Sequence, residues 1–363
     1  NNLISQNNAT SNSKYGIVLT FNSTNNFITN NIANLNTLYG IALGSNSDNN
    51  ALSNNIENSN VQRGIWLTSS SNNTIINDTA NSNSIYGVLL DTNSNNNQIT
   101  NSTFNQNLGN GVYFDTSSNN QFINNIIRNN SLEGILVSSS SNNVFIQGIV
   151  NGSGLDAIFI AGVVSSNNNF TNITITNTTA SYYDINFATA SINGTYLIDM
   201  PHIGNYTFTG VGGLTYFKDT RFGEIRFLNA INGSGTNLTR DIQILNNTVF
   251  VNSSVTNRGL NKSANITFYN LPTNFVNPKM FRDGTTCPAG QCYNFTSLNA
   301  GNVTFNVTSF SNYSVGSNNA PTVTLLSPAS GSSTTSRTPT FNWSGNDSDG
   351  DSLTYELNIT CYH

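Results

Sequence analysis

Six glycines recur at nearly equal steps along the N-terminal part of this chain. Gly16, Gly40, Gly64, Gly87, Gly111 and Gly134 stand 23 or 24 residues apart, each followed by an apolar–x–apolar pair. The pairs run from Ile17/Leu19 to Ile135/Val137, and Ala157 takes the glycine's place once, before Ile158 and Ile160. A second landmark is an Asn-Asn pair ending at Asn2, Asn26, Asn50, Asn73, Asn97, Asn120, Asn143 and Asn168. From that second asparagine to the next glycine (or Ala157) the step is always 14 residues, whereas the step from glycine to asparagine is 9, 10 or 11. One part of the unit is therefore rigid in length and one turn absorbs the variation. A unit this short cannot bury an apolar face alone, so the repeats must stack on one another.

Within the unit, apolar and polar residues alternate over short stretches, which is strand periodicity. Coils of about three short strands, stacked at roughly 4.8 Å, would place like residues in columns. Apolar columns would fill a lumen, and asparagine amides would bond from coil to coil. The column four residues after the Asn pair, including Asn54, Asn77 and Asn101, is expected to form such a ladder, buried or half-buried. Each glycine is expected where φ must be positive or where a side chain would clash.

The unit G-[IV]-x-[LF]-x(n)-N-N-x-[ILF]-x-N resembles the right-handed parallel β-helix repeats of the pectin-lyase-like superfamily, in particular the NosD-type repeat proteins of prokaryotic surfaces. The resemblance implies an all-β chain with a right-handed parallel β-helix of 23–24-residue coils over residues 1–190. It implies function only loosely, because this scaffold carries lyases, hydrolases, adhesins and stalks alike. A copper-associated role of the NosD type is a remote alternative. Residues 1–168 contain no His, Cys or Met, so soft and imidazole ligands are missing.

Beyond Asn168 the register fades, and residues 191–316 read as further coils and a β-sandwich domain. Phe310-Ser311-Asn312-Tyr313 resembles the closing strand of sandwich modules in surface proteins. Residues 317–363 resemble the first strands of an immunoglobulin- or fibronectin-III-like module, carried by 339–344 and 351–357. Such a module needs about 100 residues. With a start at Asn1 rather than Met, we expect a piece of a longer exported protein, located at the cell surface or outside the cell.

Charged residues make up only 8% of the chain and the net charge is −5 with twelve Lys and Arg, which provides no electrostatic footprint for nucleic acid or an anionic membrane. No apolar run reaches the length of a membrane span. The only histidines are His202 and His363, so Ser-His or Cys-His catalysis has no support. Asp91 and Asp115 each lie four residues after a glycine, hence outward on adjacent coils and roughly 5 Å apart. That separation suits a retaining glycosidase pair or, equally, a Ca²⁺ site, and two solvated surface carboxylates explain it as well. Set against the superfamily, the chain lacks the G-H-G and clustered Asp motifs of polygalacturonases. Arg63 and Arg128 also fall at other points of the unit than the Asp column.

Two residues after each glycine, Val18, Ala42, Trp66, Leu89, Tyr113, Leu136 and Phe159 also point outward. From Trp66 to Phe159 this stripe is large or aromatic. It fits either a glycan groove or a surface covered by another part of the protein. From residue 169 onward 18 of 28 asparagines stand in N-x-[ST], which suits glycan acceptors or, alternatively, Thr-rich strand alternation. Cys287 and Cys292 bracket a short turn and suit a local disulfide in an exported chain. Asp347, Asp349 and Asp351 have a spacing open to Ca²⁺ or to a plain inter-strand turn. The expectation is a structural or adhesive surface protein that binds a glycan or another surface protein along its β-helix face. It would use no cofactor beyond Ca²⁺. A polysaccharide-cleaving enzyme is the alternative.

Overall fold

A computed structural model describes every residue except 189–191, 209–212, 255–258, 318–319, 330, 348–352 and 358–363. The chain is all-β and begins as a parallel β-solenoid of about nine turns. Each coil has three faces. The front sheet contains nine parallel strands, from Tyr15–Leu19 through Arg63–Thr68 to Tyr206–Phe208. The back sheet starts at Leu3–Ser5 and runs through Ala51–Ser53 and Gln121–Arg128. The third face begins as single bridges, Ile32 to Ile56 to Thr79 to Thr103, and becomes continuous strand in the later coils.

The residues after each glycine face the lumen as the repeat requires. Ile17, Ile41, Ile65, Val88, Val112, Ile135 and Ile158 are all buried. On the back sheet the lumen column changes from Ile and Leu to Phe122, Phe145 and Phe170, with Phe145 and Phe170 stacked at 4.6 Å. The glycines owe their place to crowding and not to a left-handed backbone. A Cβ on Gly64 would lie 2.4 Å from the Ala80 Cβ and 2.8 Å from the Gly87 carbonyl oxygen.

Four polar ladders run along the corners inside, one of them of serines from Ser47 to Ser165 and three containing asparagine. In the first, the backbone N–H of Asn26, Asn50, Asn73, Asn97, Asn120 and Asn143 each donates to the Oδ1 one coil further on, at 2.8–3.0 Å. In the second, Asn36, Asn60, Asn83 and Asn107 donate both N–H (2.9 Å) and Nδ2 (3.0–3.1 Å) to the next Oδ1, ending at Asn130. The third runs Asn31, Asn55, Asp78, Ser102, Asn125. The expected column of Asn54, Asn77 and Asn101 is not the buried one: all three are exposed, with φ of 57°, 58° and 53°. A residue in the left-handed region ends the strand alternation and turns the chain through the corner. The side chain that enters the lumen is therefore the next one, at Asn55, Asp78 and Ser102. The outer column still makes amide contacts, such as Asn124 Nδ2 to Asn101 Oδ1 at 2.8 Å, but in solvent.

One lumen position breaks the apolar rule. In the third-face column Ala33, Glu57, Ala80, Phe104, Ile127, Val150, the Glu57 side chain is fully buried and neither carboxyl oxygen has a hydrogen-bond partner. Beside it, Asp78 holds a ladder place where an asparagine would donate its amide to a backbone carbonyl, as Asn55 does to Ile28 and Asn125 to Ile99. Burial raises the Asp78 carboxyl to about 7 against the opposing hydrogen bonds from Asn55. Burial, and then the Asp78 charge, raises Glu57 well above the usual carboxylate range.

After the last front strand the back sheet continues without a break. Thr195–Ile198 and Thr215–Asp219 are its final parallel strands; Gly223–Phe227, Ala264–Phe268, Val303–Val307 and Cys292–Asn294 then add antiparallel. A separate five-stranded antiparallel sheet contains Ile242–Leu245, Thr248–Val251, Asn312–Gly316, Lys279–Arg282 and Thr285–Thr286. Phe305, Phe310 and Tyr313 meet between the two sheets and join the same apolar core as the lumen. Cys287 and Cys292 form a disulfide, with Cα atoms 6.3 Å apart. Past Gly316, the strands Thr322–Ser327 and Asn342–Asn346 pair as a two-stranded sheet with exposed side chains. Among the described residues these two strands do not amount to the immunoglobulin- or fibronectin-like module expected there.

Two outcomes test this account. Asn83→Ala removes the acceptor of both Asn60 donors and should cost about 1–3 kcal/mol. Asn77→Gly, at an exposed left-handed corner, should stay within about 0.5 kcal/mol of the parent in urea titration. The second outcome concerns Glu57 and Asp78, whose folded pKa values lie above the unfolded ones. Folding then binds protons, so stability is greatest below about pH 4 and is lost as pH rises through about 7. The loss is about 1.4 kcal/mol per pH unit for each proton held. Chemical denaturation of Glu57→Gln across this window should show a shallower fall than the parent; parallel curves would dismiss the buried pair as its source.

Candidate functional site

The outer side of the front sheet gathers three columns of side chains. Strand alternation places the residue two after each glycine outward between two lumen residues, and the residue four after it outward again. The residue before each glycine closes the same face, giving Tyr15, Tyr39, Arg63 and Tyr86 in register, then Glu133 and Asp156 on later coils. The stripe is less open than its sequence suggests. Trp66, Leu89 and Tyr113 are in register on adjacent strands, but Leu89 is buried and Trp66, Tyr113, Leu136 and Phe159 are half-buried.

The pre-glycine column closes over that stripe. Tyr15 stacks on Tyr39 at 5.4 Å, and Tyr39 lies 4.7 Å from Trp66. The Arg63 guanidinium sits 5.0 Å from the Tyr39 and Trp66 rings and 5.9 Å from Tyr86, a cation held among three aromatic rings. Tyr86 meets Tyr113 edge-on at 5.5 Å. Trp66 Nε1 donates to Asp91 Oδ2 at 3.0 Å, which fixes the indole across two coils. Arg63 Nε and Asp91 Oδ1 are buried and have no hydrogen-bond partner among the described residues. The site thus keeps one donor and one acceptor unmatched beside its largest ring.

Its electrostatics follow from burial. Desolvation raises the Tyr86 phenol, partly opposed by the Arg63 charge, and raises Tyr113, with Asp115 adding to the effect. Glu133 is raised by burial, with Asp156 contributing in the same direction against a backbone hydrogen bond. Asp91 and Asp115 sit one strand apart as expected, but each has its own partner: Trp66 for Asp91, and the Thr116 hydroxyl, at 3.2 Å, for Asp115. Arg63, set apart from the aspartates by its place in the unit, is brought over Trp66 and so belongs to the same face. Tyr39, Tyr86 and Glu133 carry no signal in the strand alternation, because they precede the glycine or stand outside the alternating stretch. The position before the glycine repeats with the same period.

Two other features are outside this face. A cleft of about 680 Å³ lies between the Asp219–Phe222 turn and the strand Ile242–Leu245, over Leu197, Met200 and Phe217. Its rim carboxylates are already satisfied, Asp219 by Arg221 at 2.7 Å and Asp199 by Thr220. Of Asp347, Asp349 and Asp351, the last two lie outside the described residues. Among the described residues no three His, Cys, Asp or Glu side chains cluster as metal ligands would, and no helix is long and apolar enough to cross a membrane.

A family described as "Right handed beta helix region" matches residues 1–104. No curated protein matches the chain. Among solved structures it is similar to the periplasmic alginate epimerase AlgG, at 17% identity and TM-score 0.43, over 56% of this chain and 47% of that one. It is similar to the Azotobacter vinelandii mannuronan C-5 epimerase AlgE6 A-module at 17% identity and TM-score 0.41, covering 53% of this chain and 57% of that one. The Dettilon tailspike protein gp208 is similar at 10% identity and TM-score 0.39, covering 86% and 84%. The chain spans about half the length of the epimerases it resembles. Together with the coil geometry, the family match shows a right-handed β-helix whose distant structural neighbours include polysaccharide epimerases and phage tailspikes.

Proposed function

We propose that this chain is a structural or adhesive surface protein that binds a glycan on the front face of its β-helix. The observation that carries the reading is the half-buried aromatic cluster of Tyr39, Trp66, Tyr86 and Tyr113 around the Arg63 guanidinium. Sugar rings present apolar faces that stack on aromatic rings such as these. Strands about 4.8 Å apart repeat these contacts along the face. A location outside the cell goes with this reading, as does N-glycan modification of the later sequons. A polysaccharide-cleaving role for Asp91 and Asp115 has less support, because Trp66 already occupies Asp91 and no described basic residue joins the pair.

The test is binding and turnover on one polysaccharide panel, with and without Ca²⁺. Trp66→Ala should weaken glycan binding by up to about tenfold, since one ring-stacking contact is worth about 0.5–1.5 kcal/mol. The thermal midpoint should fall modestly, because Asp91 loses its indole donor and Arg63 one of its three rings, while the lumen is untouched. New reducing ends or unsaturated products would instead establish the enzyme. Loss of thermal stability in a protein that binds no glycan would make the face an internal docking surface.

A further inference from the structure

A second polar and aromatic face lies where the solenoid gives way to antiparallel strands. It is on the outer side of the back sheet, away from the front-face cluster. Register places Tyr196, Tyr216, Arg226, Asn265, Asn306 and Tyr293 in one row across six consecutive strands. At the strand spacing this row is roughly 24 Å long. Beneath it, Leu197, Phe217, Ile225, Ile266 and Phe305 are buried, so the outward direction of the row is fixed by the core.

The chemistry concentrates at one end. Tyr196 and Tyr216 rings lie 4.7 Å apart, and the Arg226 guanidinium is 5.7 and 5.9 Å from their centres. Arg226 Nε donates to Glu224 Oε1 at 2.8 Å, and Glu224 is buried. The Tyr269 hydroxyl bonds the same carboxylate, and burial followed by the Glu224 charge holds that phenol up at about 12, so it remains a neutral donor. Lys218 lies over the Tyr269 ring at 5.7 Å. The buried carboxylate thus grips one edge of the guanidinium. Its two terminal nitrogens have no partner among the described residues, and the side chain is 49% exposed. An anchored guanidinium with a free planar fork, beside stacked phenols and a second cation, is an arrangement matched to a carboxylate or sulfate. The local excess of cations is notable in a chain of net charge −5.

We propose that this face is a second saccharide site, specific for sugars carrying a carboxylate or sulfate group. Tyr196 and Tyr216 stack the ring, and the Arg226 fork takes the acidic group. Asn265 and Asn306 continue the row as hydrogen-bonding positions. Both stand in N-x-T sequons, yet Asn306 Nδ2, the atom a glycan would occupy, donates to the Ala264 carbonyl and to Asn265 Oδ1. The N-x-T pattern here also pairs Thr267 with Thr304, hydroxyl to hydroxyl at 3.0 Å, which is strand alternation at work.

The test titrates the whole chain, carrying Trp66→Ala to weaken the front face, with oligouronate, sulfated oligosaccharide and neutral oligosaccharide of equal length. The two acidic arms should bind and weaken with salt, and the arm that binds more tightly names the group. Arg226→Lys, which keeps the charge and loses the fork, should weaken acidic binding at least fivefold, and Tyr196→Leu by a similar factor, with thermal midpoints unchanged. Equal binding of the neutral arm, no binding of either acidic arm, or indifference to both substitutions would overturn the proposal. Because Arg226 and Tyr196 lie on the back sheet, their effect is separate from the front face, whose failure would show in the Trp66-containing protein.

Discussion

Coil-to-coil donation of a backbone N–H to an asparagine Oδ1 is the interaction on which the rest of this structure depends. A solenoid's corners break the strand ladder, and every broken ladder leaves backbone N–H groups buried and in need of acceptors. At the Asn36-to-Asn130 corner the next coil supplies that acceptor, and the same oxygen also takes the preceding amide. One side chain thus satisfies two donors and at the same time fixes the stacking register to the residue. This explains the rigid 14-residue step of the repeat. Any insertion between the Asn pair and the glycine would move one ladder out of phase with the others. The variable turn between the glycine and the Asn pair tolerates length changes because it bulges into solvent, with residues such as Phe21, Asn22 and Asn46 in left-handed geometry.

That constraint determines what could be read from the sequence. The lumen residues, the coil length, the parallel stacking and the crowding at the glycines were legible, because each repeats with the period. The register of the third ladder was not. Alternation carried forward from Leu52 predicts that Asn54 points inward, and only a left-handed residue at that corner shifts the inward place to Asn55. Periodicity identifies columns but not the parity flip between them. Glu57 was invisible for a related reason. In sequence it is an ordinary charged residue in an Asn-rich turn, and only the stacking of Ala33, Glu57 and Ala80 shows that it enters the lumen. The antiparallel strands after Asp219 have no period, so their continuity with the back sheet could not be read from spacing at all.

The outer faces were only partly legible, and the reason is again the ladder. Because lumen and corners hold the coil, outward positions are free to vary, so they carry no periodic mark of their own. Trp66, Leu89 and Tyr113 were found by counting from the glycine. The residues that turn this stripe into a site, Tyr39, Arg63 and Tyr86, stand on the other side of the glycine. They close over the outward column through ring and cation contacts with Trp66 and Tyr113. The cluster's cation is held by three rings where an ion pair would be usual, in keeping with a chain poor in charge.

The two polar faces differ in the way each holds its arginine, and that difference separates their chemistry. Arg63 is enclosed by Tyr39, Trp66 and Tyr86, its Nε is buried, and its charge is spread over π faces; such a cation orders rings and leaves little of itself for a ligand. Arg226 has a buried carboxylate behind it and solvent before it, so its fork is both oriented and open. Orientation by Glu224 lowers the entropy lost when a ligand's acidic group docks, and openness avoids the desolvation that a buried ion pair would suffer. The proposed front site accordingly offers rings for stacking, and the proposed back site an oriented charge. A polymer long enough to bridge the solenoid and its antiparallel end could engage both, in which case each weak contact would raise the effective concentration of the other.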